Sequence, residues 1–584
     1  MRFLRENIAL CLVIPGPNEP SDYGLDQMLE PLVDELLQLQ RGVRMTVRWG
    51  SPAVYQEEVV HAELTQHIAD LIARIKMGGG AGIRSERNFC LYCHMQLSAL
   101  SMPDGYLRQN FDYRDPQVEL ENAYRWKSLR TSADRKALFD LGQTRVSTKA
   151  DQWKLASRIL YIPLFLAMRD GDVIGPRDVP RGNQNSPSAK HQASRAKLLH
   201  QHKKKYYNSL ERPDDCPNLE DCYPSRSLRF HHRQVLRFCV AVTIIDKRSI
   251  TPAEIEFAQS LLESVCIEYA QNNIQLPPNF HYLMHLEEWL KKTGSVYNTH
   301  VWGMERANGI LSRIKHNGKG KGVLEGTLMQ HAHIPNQKSP QIKAMQKLPN
   351  RTPADDSIIE DLLVALKGGA EHAQQRGTLM AFIAQCQTAY TRLHGIQEST
   401  RLSKQSRIID LEELDLYEIV LQFCISMWPD AGIFGPGMPE RTYLAPVGMV
   451  RNHSYVEYDG IRYGAYEHSS GKGYCYGYVN GRQPVRIDRV LHVVIPGQPD
   501  IQCTCALVRP FQPPEPEPQF PWDTWATHLG VSSWAYGELG DLIPIPIHHF
   551  SGTLALFDVP MSYARYWVTV AMDSVSPERD GEDE

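Results

Sequence analysis

Two short motifs 188 positions apart (281 − 93) constrain this chain more than any other feature. The first is FCLYC, which holds Cys90 and Cys93. The second is HYLMH, which holds His281 and His285. A CxxC turn lets two sulfurs face one point, half of a tetrahedral zinc site. Histidines at i and i+4 share one helix face and offer the other half. If one ion takes both halves, the chain leaves the site, runs through everything between and returns. Each half alone has a plainer reading. A lone CxxC is often two buried thiols, and one HxxxH among 22 histidines is often chance. His94 is a further ligand or a spectator, Cys216 and Cys222 are a weaker rival pair, and Cys503 with Cys505, at CxC spacing, reads as strand core with the two side chains on opposite faces.

The same closure gives meaning to two isolated acids. Asp70 stands 20 positions before Cys90, and Glu305 stands 20 after His285. Joining the two half-sites draws both acids into one neighbourhood and makes 96–275 an insertion. Phosphodiester cleavage with two Mg²⁺ ions needs carboxylates converging on about 4 Å of space between metals, and this hard cation takes oxygen ligands. The plainer alternatives are a helix N-terminal acid for Asp70 and an ion pair with Arg306 or Lys315 for Glu305.

Composition sets the outer bounds. A chain of 584 residues allows two to four domains, and 42% hydrophobic with 22% charged residues is ordinary for a protein with real cores. The net charge of −4 offers no global basic field, so any DNA contact has to be local. Twelve scattered cysteines suit a reducing compartment. Arg5 and Glu6 interrupt the N-terminus where a signal peptide would be apolar, and no apolar run reaches the roughly 18 residues that span a bilayer. A soluble intracellular chain without membrane contact is expected.

Along the chain, residues 7–14 read as a buried strand stopped at Pro-Gly-Pro. Residues 26–40 place Met28, Leu29, Leu32, Val33, Leu36 and Leu37 at helical spacing, and VRMTVRWG follows as a strand. The stretch 96–275 reads as mainly helical, except that 177–226, rich in Pro, Asn, Ser, His and Lys, is expected to be disordered. Residues 251–271 signal a helix, with Thr251 as cap, Pro252 first and Glu254 as capping-box partner. A helical region is expected over 331–436, a β-rich C-terminal domain over 437–572 and an acidic tail over 573–584.

Three patches carry a resemblance. RENIALCLVIPGPNEPSDYGLDQMLEPLVDELLQLQRGV resembles the segment opening the second part of the Tnp2-type transposases of CACTA elements, especially those of basidiomycete fungi. ADLIARIKMGGGAGIRSERNFCLYC is similar to that family's acidic block and CxxC, and PPNFHYLMHLEEWLKKTGSVYNTHVWGMERANGILSRIKHNGKGKGVLEGTLMQ to its HxxxH and ER-N block. The order of acid, CxxC, HxxxH and acid is also similar to the wider DDE recombinase group, which includes Transib transposases and the V(D)J recombinase. The resemblance implies an α/β RNase H-like core over 1–95 and 276–330, interrupted by the helical insertion. It implies Asp70 as the second and Glu305 as the third catalytic acid with Mg²⁺, and structural zinc on Cys90, Cys93, His281 and His285. Lys315, Lys319 and Lys321 would touch DNA phosphates, their alternative being a flexible basic turn. Transposon-end DNA as partner, a homo-oligomer and a nuclear location are implied with it. The departures are equally specific. The family's first catalytic Asp precedes the block found here at 6–20, its DLPA reads DLIA, and its Asp-Pro-Met-His-Asn block is not recognisable near 160–180. A transposase remnant, inactive alone, is therefore expected. The alternative is a non-enzymatic, zinc-stapled DNA-binding or protein-interaction module.

Overall fold

The computed structural model describes residues 22–49, 54–62, 85–87, 89–115, 117–118, 158–180, 182–247, 249–296, 400–429, 433, 449–458, 461–495 and 498–572. The chain divides into two units, Met1–Gly80 with His300–His394 and Ala81–Thr299 with Gly395–Glu584. In the first unit, helix α1 (Asp22–Arg41) covers the stretch expected to be helical. Gly42, at φ +102°, turns the chain into an antiparallel hairpin, β1 (Val43–Trp49) with β2 (Val54–Val60). A Cβ at Gly42 would stand 2.6 Å from the His61 ring, so the turn needs glycine.

The second unit opens with the CxxC loop and continues as helices. These are α2 (Tyr161–Met168), α3 (Pro187–Ser209), α4 (Leu228–Ile245) and α5 (Pro252–Gln271). The short helices α6 (Pro278–Tyr282) and α7 (Leu286–Thr293) follow. The expected capping box forms at α5. Thr251 Oγ1 accepts from the Glu254 amide at 3.3 Å, and Glu254 Oε2 accepts from the Thr251 amide at 2.8 Å.

The expected disorder of 177–226 is corrected, because α3 fills nearly half of it and two 3₁₀ turns, Pro213–Asp215 and Leu219–Cys222, follow. Ser186 caps the helix by accepting from the Ala189 amide at 3.2 Å, and Pro187 opens it. Only Ala196, Leu199, Lys203 and Tyr206 are buried, a stripe at 3,4,3 spacing. Lys203 Nζ donates to Asn273 Oδ1 at 2.7 Å, and Tyr206 Oη donates to Asp104 Oδ2 at 2.7 Å. Polar residues thus dominate the composition while a narrow face docks the helix.

Two expected boundaries also move. Phe89, Cys90, Cys93, Met284 and Leu290 share a core with α2, α4 and α5, so 85–95 and 276–296 pack with the insertion. The C-terminal strands are not a domain apart. β11 (Val531–Ala535), β14 (Leu554–Pro560) and β15 (Arg565–Ala571) form an antiparallel sheet in the order β11-β15-β14. Val531, Val559, Tyr566, Val568 and Val570 belong to that same helical core. Arg158 pairs with Asp246 on the turn after α4 and donates to the Met572 carbonyl, tying the residue after β15 to the helices.

A larger antiparallel sheet carries the rest of the β-rich region. Its main path runs β12 (Ile543–Pro546), β10 (Gln498–Pro510), β9 (Gln483–Ile495), β5 (Met449–His453), β4 (Ser406–Asp410). Strand β8 (Tyr476–Val479) also pairs with β9, and β13 (Phe550–Gly552) pairs with β8. Helix α8 (Tyr417–Met427) packs on the sheet through Val420, Leu421 and Cys424. A small sheet of β3 (Arg401–Leu402), β6 (Tyr455–Tyr458) and β7 (Ile461–Gly464) supplies Val456 and Tyr463 to a third core with Val485 and Ile487. The region expected to be helical up to 436 therefore contributes strands β3 and β4 as well as α8. The expectation that Cys503 and Cys505 face opposite ways is corrected: residues two apart on β10 share one face of the pleat, and both pack in the α8 core. Among the described residues, no helix is long and apolar enough to cross a membrane.

Candidate metal centre

The two half-sites meet. Cys90, Cys93, His281 and His285 are all buried, and one ligand atom from each lies within 4.8 Å of the others. Cys93 Sγ is 3.3 Å from His281 Nε2, Cys90 Sγ is 3.5 Å from His285 Nε2, and the two Nε2 atoms are 3.4 Å apart. Zinc bonds of about 2.3 Å to sulfur and about 2.05 Å to nitrogen imply tetrahedral edges of about 3.6 Å for S to N and about 3.3 Å for N to N. The observed edges match that geometry, so the four residues can hold a metal ion such as zinc. With four protein donors the site is closed, the form of a structural rather than a catalytic centre.

The neighbours orient the donors. His281 Nδ1 is 2.9 Å from the Gly105 carbonyl, which makes Nδ1 the protonated nitrogen and leaves the Nε2 lone pair for a metal. Gly105 can come this close only without a side chain, since a Cβ would lie 2.5 Å from the Ala99 carbonyl oxygen. The Tyr92 amide points at Cys90 Sγ at 3.4 Å, and the Met95 amide donates to Cys93. These bonds stabilise negative sulfur. Phe111 packs 5.0 Å from the His281 ring and 5.1 Å from the His285 ring, with Phe89 and Tyr92 closing the other sides.

Hydrogen bonding from Cys93, with help from the two imidazoles, drives the Cys90 thiol far below its usual range despite burial. Cys93 is pushed up in turn by Cys90 and by desolvation. Two thiolates against the two positive charges of a divalent cation would make a neutral set suited to burial.

His281 and His285 do not ride one regular helix. α6 ends at Tyr282, a 3₁₀ turn spans Leu283–His285, and α7 begins at Leu286. The cause is Gln259 on α5. Its Nε2 donates to the Leu283 carbonyl at 3.1 Å, and its Oε1 accepts from the Glu287 amide at 3.1 Å. Those backbone groups would pair directly in an α-helix. The inserted amide takes over both ends of the missing bond and tightens the turn that carries His285. Gln259 and Gly105 are the supporting residues that motif reading misses. A glutamine inside an apolar helical stripe and a Pro-Asp-Gly turn are the only signals for them.

The remaining candidates fall elsewhere. His94 is exposed and outside the cluster, and Cys216 and Cys222 do not join it. Asp70, Glu305, Lys315, Lys319 and Lys321 lie outside the described residues, and so does the expected Mg²⁺ site. No family model matches the chain, and neither a curated protein nor a solved structure matches it.

Proposed function

We propose that the chain is a transposase-derived DNA-processing protein of the CACTA type, built around an RNase H-like core and stapled by structural zinc. One observation carries the reading: CxxC and HxxxH, separated by 188 positions, close on one buried four-donor site. That closure is what the resemblance requires of those two motifs, and it is hard to reach by chance from two unrelated pairs. On this reading Asp70 and Glu305 supply carboxylate oxygens to Mg²⁺, which would supply charge stabilisation for phosphodiester cleavage and strand transfer. Lys315, Lys319 and Lys321 bind phosphates of the transposon end. A nuclear location and a homo-oligomer holding two DNA ends belong to the same proposal.

The test is a nicking assay on supercoiled DNA with Mg²⁺, alongside duplex-binding measurements and zinc analysis. Cleavage that Glu305→Gln abolishes supports the enzyme. Salt-sensitive DNA binding without cleavage supports the zinc-stapled binding module. Absence of both DNA binding and cleavage in protein that carries zinc overturns the proposal.

A further inference from the structure

A second site shares no lining residue with the metal centre. Helix α4 presents Arg229, Arg233 and Arg237 at i, i+4 and i+8, one stripe along its surface, to a cleft of about 610 Å³. Phe520, Pro521 and Trp525 form the facing wall. The volume falls within the range of about 300–1,000 Å³ typical of small-molecule sites.

The cations are held in place without being cancelled. Arg229 Nε donates to the Ile174 carbonyl at 2.9 Å, a neutral partner that fixes the guanidinium plane and leaves its charge whole. Arg233 and Arg237 share one carboxylate, Glu268, at 2.7 and 2.6 Å, and Gln234 donates to it as well at 2.6 Å. One negative charge thus positions two positive ones. The other acid at the rim, Asp172, is engaged by the amide and hydroxyl of Ser562. Three guanidinium groups against two carboxylates leave the cleft positive. Guanidinium forks match the oxygens of a phosphate ester.

Phe520 of that wall is held from behind. Phe520 stacks on buried Trp522, with centroids 4.7 Å apart and 13° between planes, and meets Phe165 edge-on at 6.1 Å. Such a wall suits a planar ring more than a flexible acidic side chain.

We propose that this cleft binds a nucleoside phosphate unit, with the phosphate on Arg229 and Arg233 and the base against Trp525 and Phe520. Free nucleotide and one residue of a single strand share that chemistry, which combines cationic and stacking contacts. The proposal does not need the transposase reading, and it can hold if no DNA is ever cleaved.

The experiment is titration calorimetry on the full, zinc-loaded chain with three probes: inorganic phosphate, thymidine monophosphate and a four-nucleotide oligothymidylate. Either nucleotide probe is expected to bind more tightly than phosphate. Trp525→Ala should weaken that binding by about 5- to 150-fold, the range for one stacked base. Arg229→Ala should weaken it by about 10-fold or more, as for a charged hydrogen bond. Arg233→Ala, whose side chain is 59% exposed, serves as a second cation variant that the fold tolerates, with thermal unfolding as the check. Equal affinity for monophosphate and oligonucleotide assigns free nucleotide, and a much tighter, salt-sensitive oligonucleotide assigns a strand. No binding of either nucleotide at millimolar concentration overturns the proposal. So does binding that folded Trp525→Ala and Arg233→Ala leave unchanged, or phosphate alone binding as tightly as the nucleotides.

Discussion

Gln259→Leu isolates the role of the inserted amide, because it keeps the bulk of a residue that is only 2% exposed and removes its polar end. Two outcomes are open to the backbone. If the turn stays as it is, the Leu283 carbonyl and the Glu287 amide lose their partners, at about 1–3 kcal/mol for each group left unsatisfied in the interior. If instead they bond to each other, the 3₁₀ turn becomes α. The rotation per residue then drops from about 120° to about 100°, so three residues swing His285 by about 60° relative to His281. Metal bonds tolerate distance errors of only about 0.2 Å. Either branch harms the site, by lost stability of the scaffold or by a misaimed imidazole. The expected loss of zinc affinity is about 10- to 100-fold, the scale for removing an outer partner of a ligand. Competition with a chromophoric chelator measures the affinity. Cobalt(II) substitution reports whether the site stays tetrahedral, and thermal unfolding with and without metal separates the two branches. Zinc affinity within about twofold of the parent, with an unaltered cobalt spectrum, would refute the assignment of Gln259 as a positioning residue.

Three further outcomes follow from other parts of the second unit. Gly105→Ala pushes a Cβ against the Ala99 carbonyl and moves the acceptor of His281 Nδ1, so chelator competition should show weaker zinc binding with little change at α4 and α5. Arg158→Ala removes the buried ion pair with Asp246 and the donor to the Met572 carbonyl, which should lower the midpoint of denaturant unfolding. At Glu268, burial raises the carboxyl pKa, but hydrogen bonds from Arg237 and Gln234 and the charges of Arg237 and Arg233 outweigh it, so the folded value lies below 4.5. A depressed acid contributes stability above its unfolded value and loses it as pH falls through the folded one. Glu268→Gln should therefore flatten the acid limb of a stability-against-pH curve below about pH 4.5 relative to the parent.

What could be read from the sequence was what chemistry makes rare. Cysteine and histidine pairs at ligand spacing have few uses, so Cys90, Cys93, His281 and His285 stood out before any fold was known. The α5 boundary was equally plain, since Thr251, Pro252 and Glu254 are a local signal for a local event. Helix α3 was hidden because four docking positions sit among lysines and histidines, and composition averages over faces. Alternation shows which face of a strand is apolar, but not what covers it. Hence β14 and β15 were legible as strands while their packing on the insertion helices was not. Gln259 acts on a turn 24 positions away in sequence, through a bond that no spacing rule encodes.

The position of the staple decides what its loss should do. Cys90 stands 10 positions past Gly80 (90 − 80), and His285 stands 15 before His300 (300 − 285), so in sequence the four donors lie near both ends of the 81–299 stretch. Closing a loop of 188 positions costs about 4–5 kcal/mol by the logarithmic rule, and doubling it would add only about 0.6. A long insertion therefore costs little more than a short one once something closes it. Structural zinc supplies about 10–16 kcal/mol in small domains at neutral pH, more than closure requires. The helical core supplies closure as well, through Phe89, Met284 and Leu290. Chelation should then loosen the segments that carry the donors and leave the core standing. The CxxC loop is irregular and is held by single cross-loop bonds, among them the Arg114 amide to the Tyr92 carbonyl at 2.9 Å, Arg114 Nε to the Cys90 carbonyl at 3.0 Å, the His94 amide to the Asp112 carbonyl at 2.8 Å, the Tyr282 hydroxyl to the Phe89 carbonyl, and amides aimed at sulfur. Hydrogen exchange on the metal-free protein should accelerate over 90–95 and 281–287 by at least tenfold more than over α4 and α5. Equal acceleration throughout would mean that the ion, and not the apolar core, holds the helices together, and the division of labour argued here would be wrong.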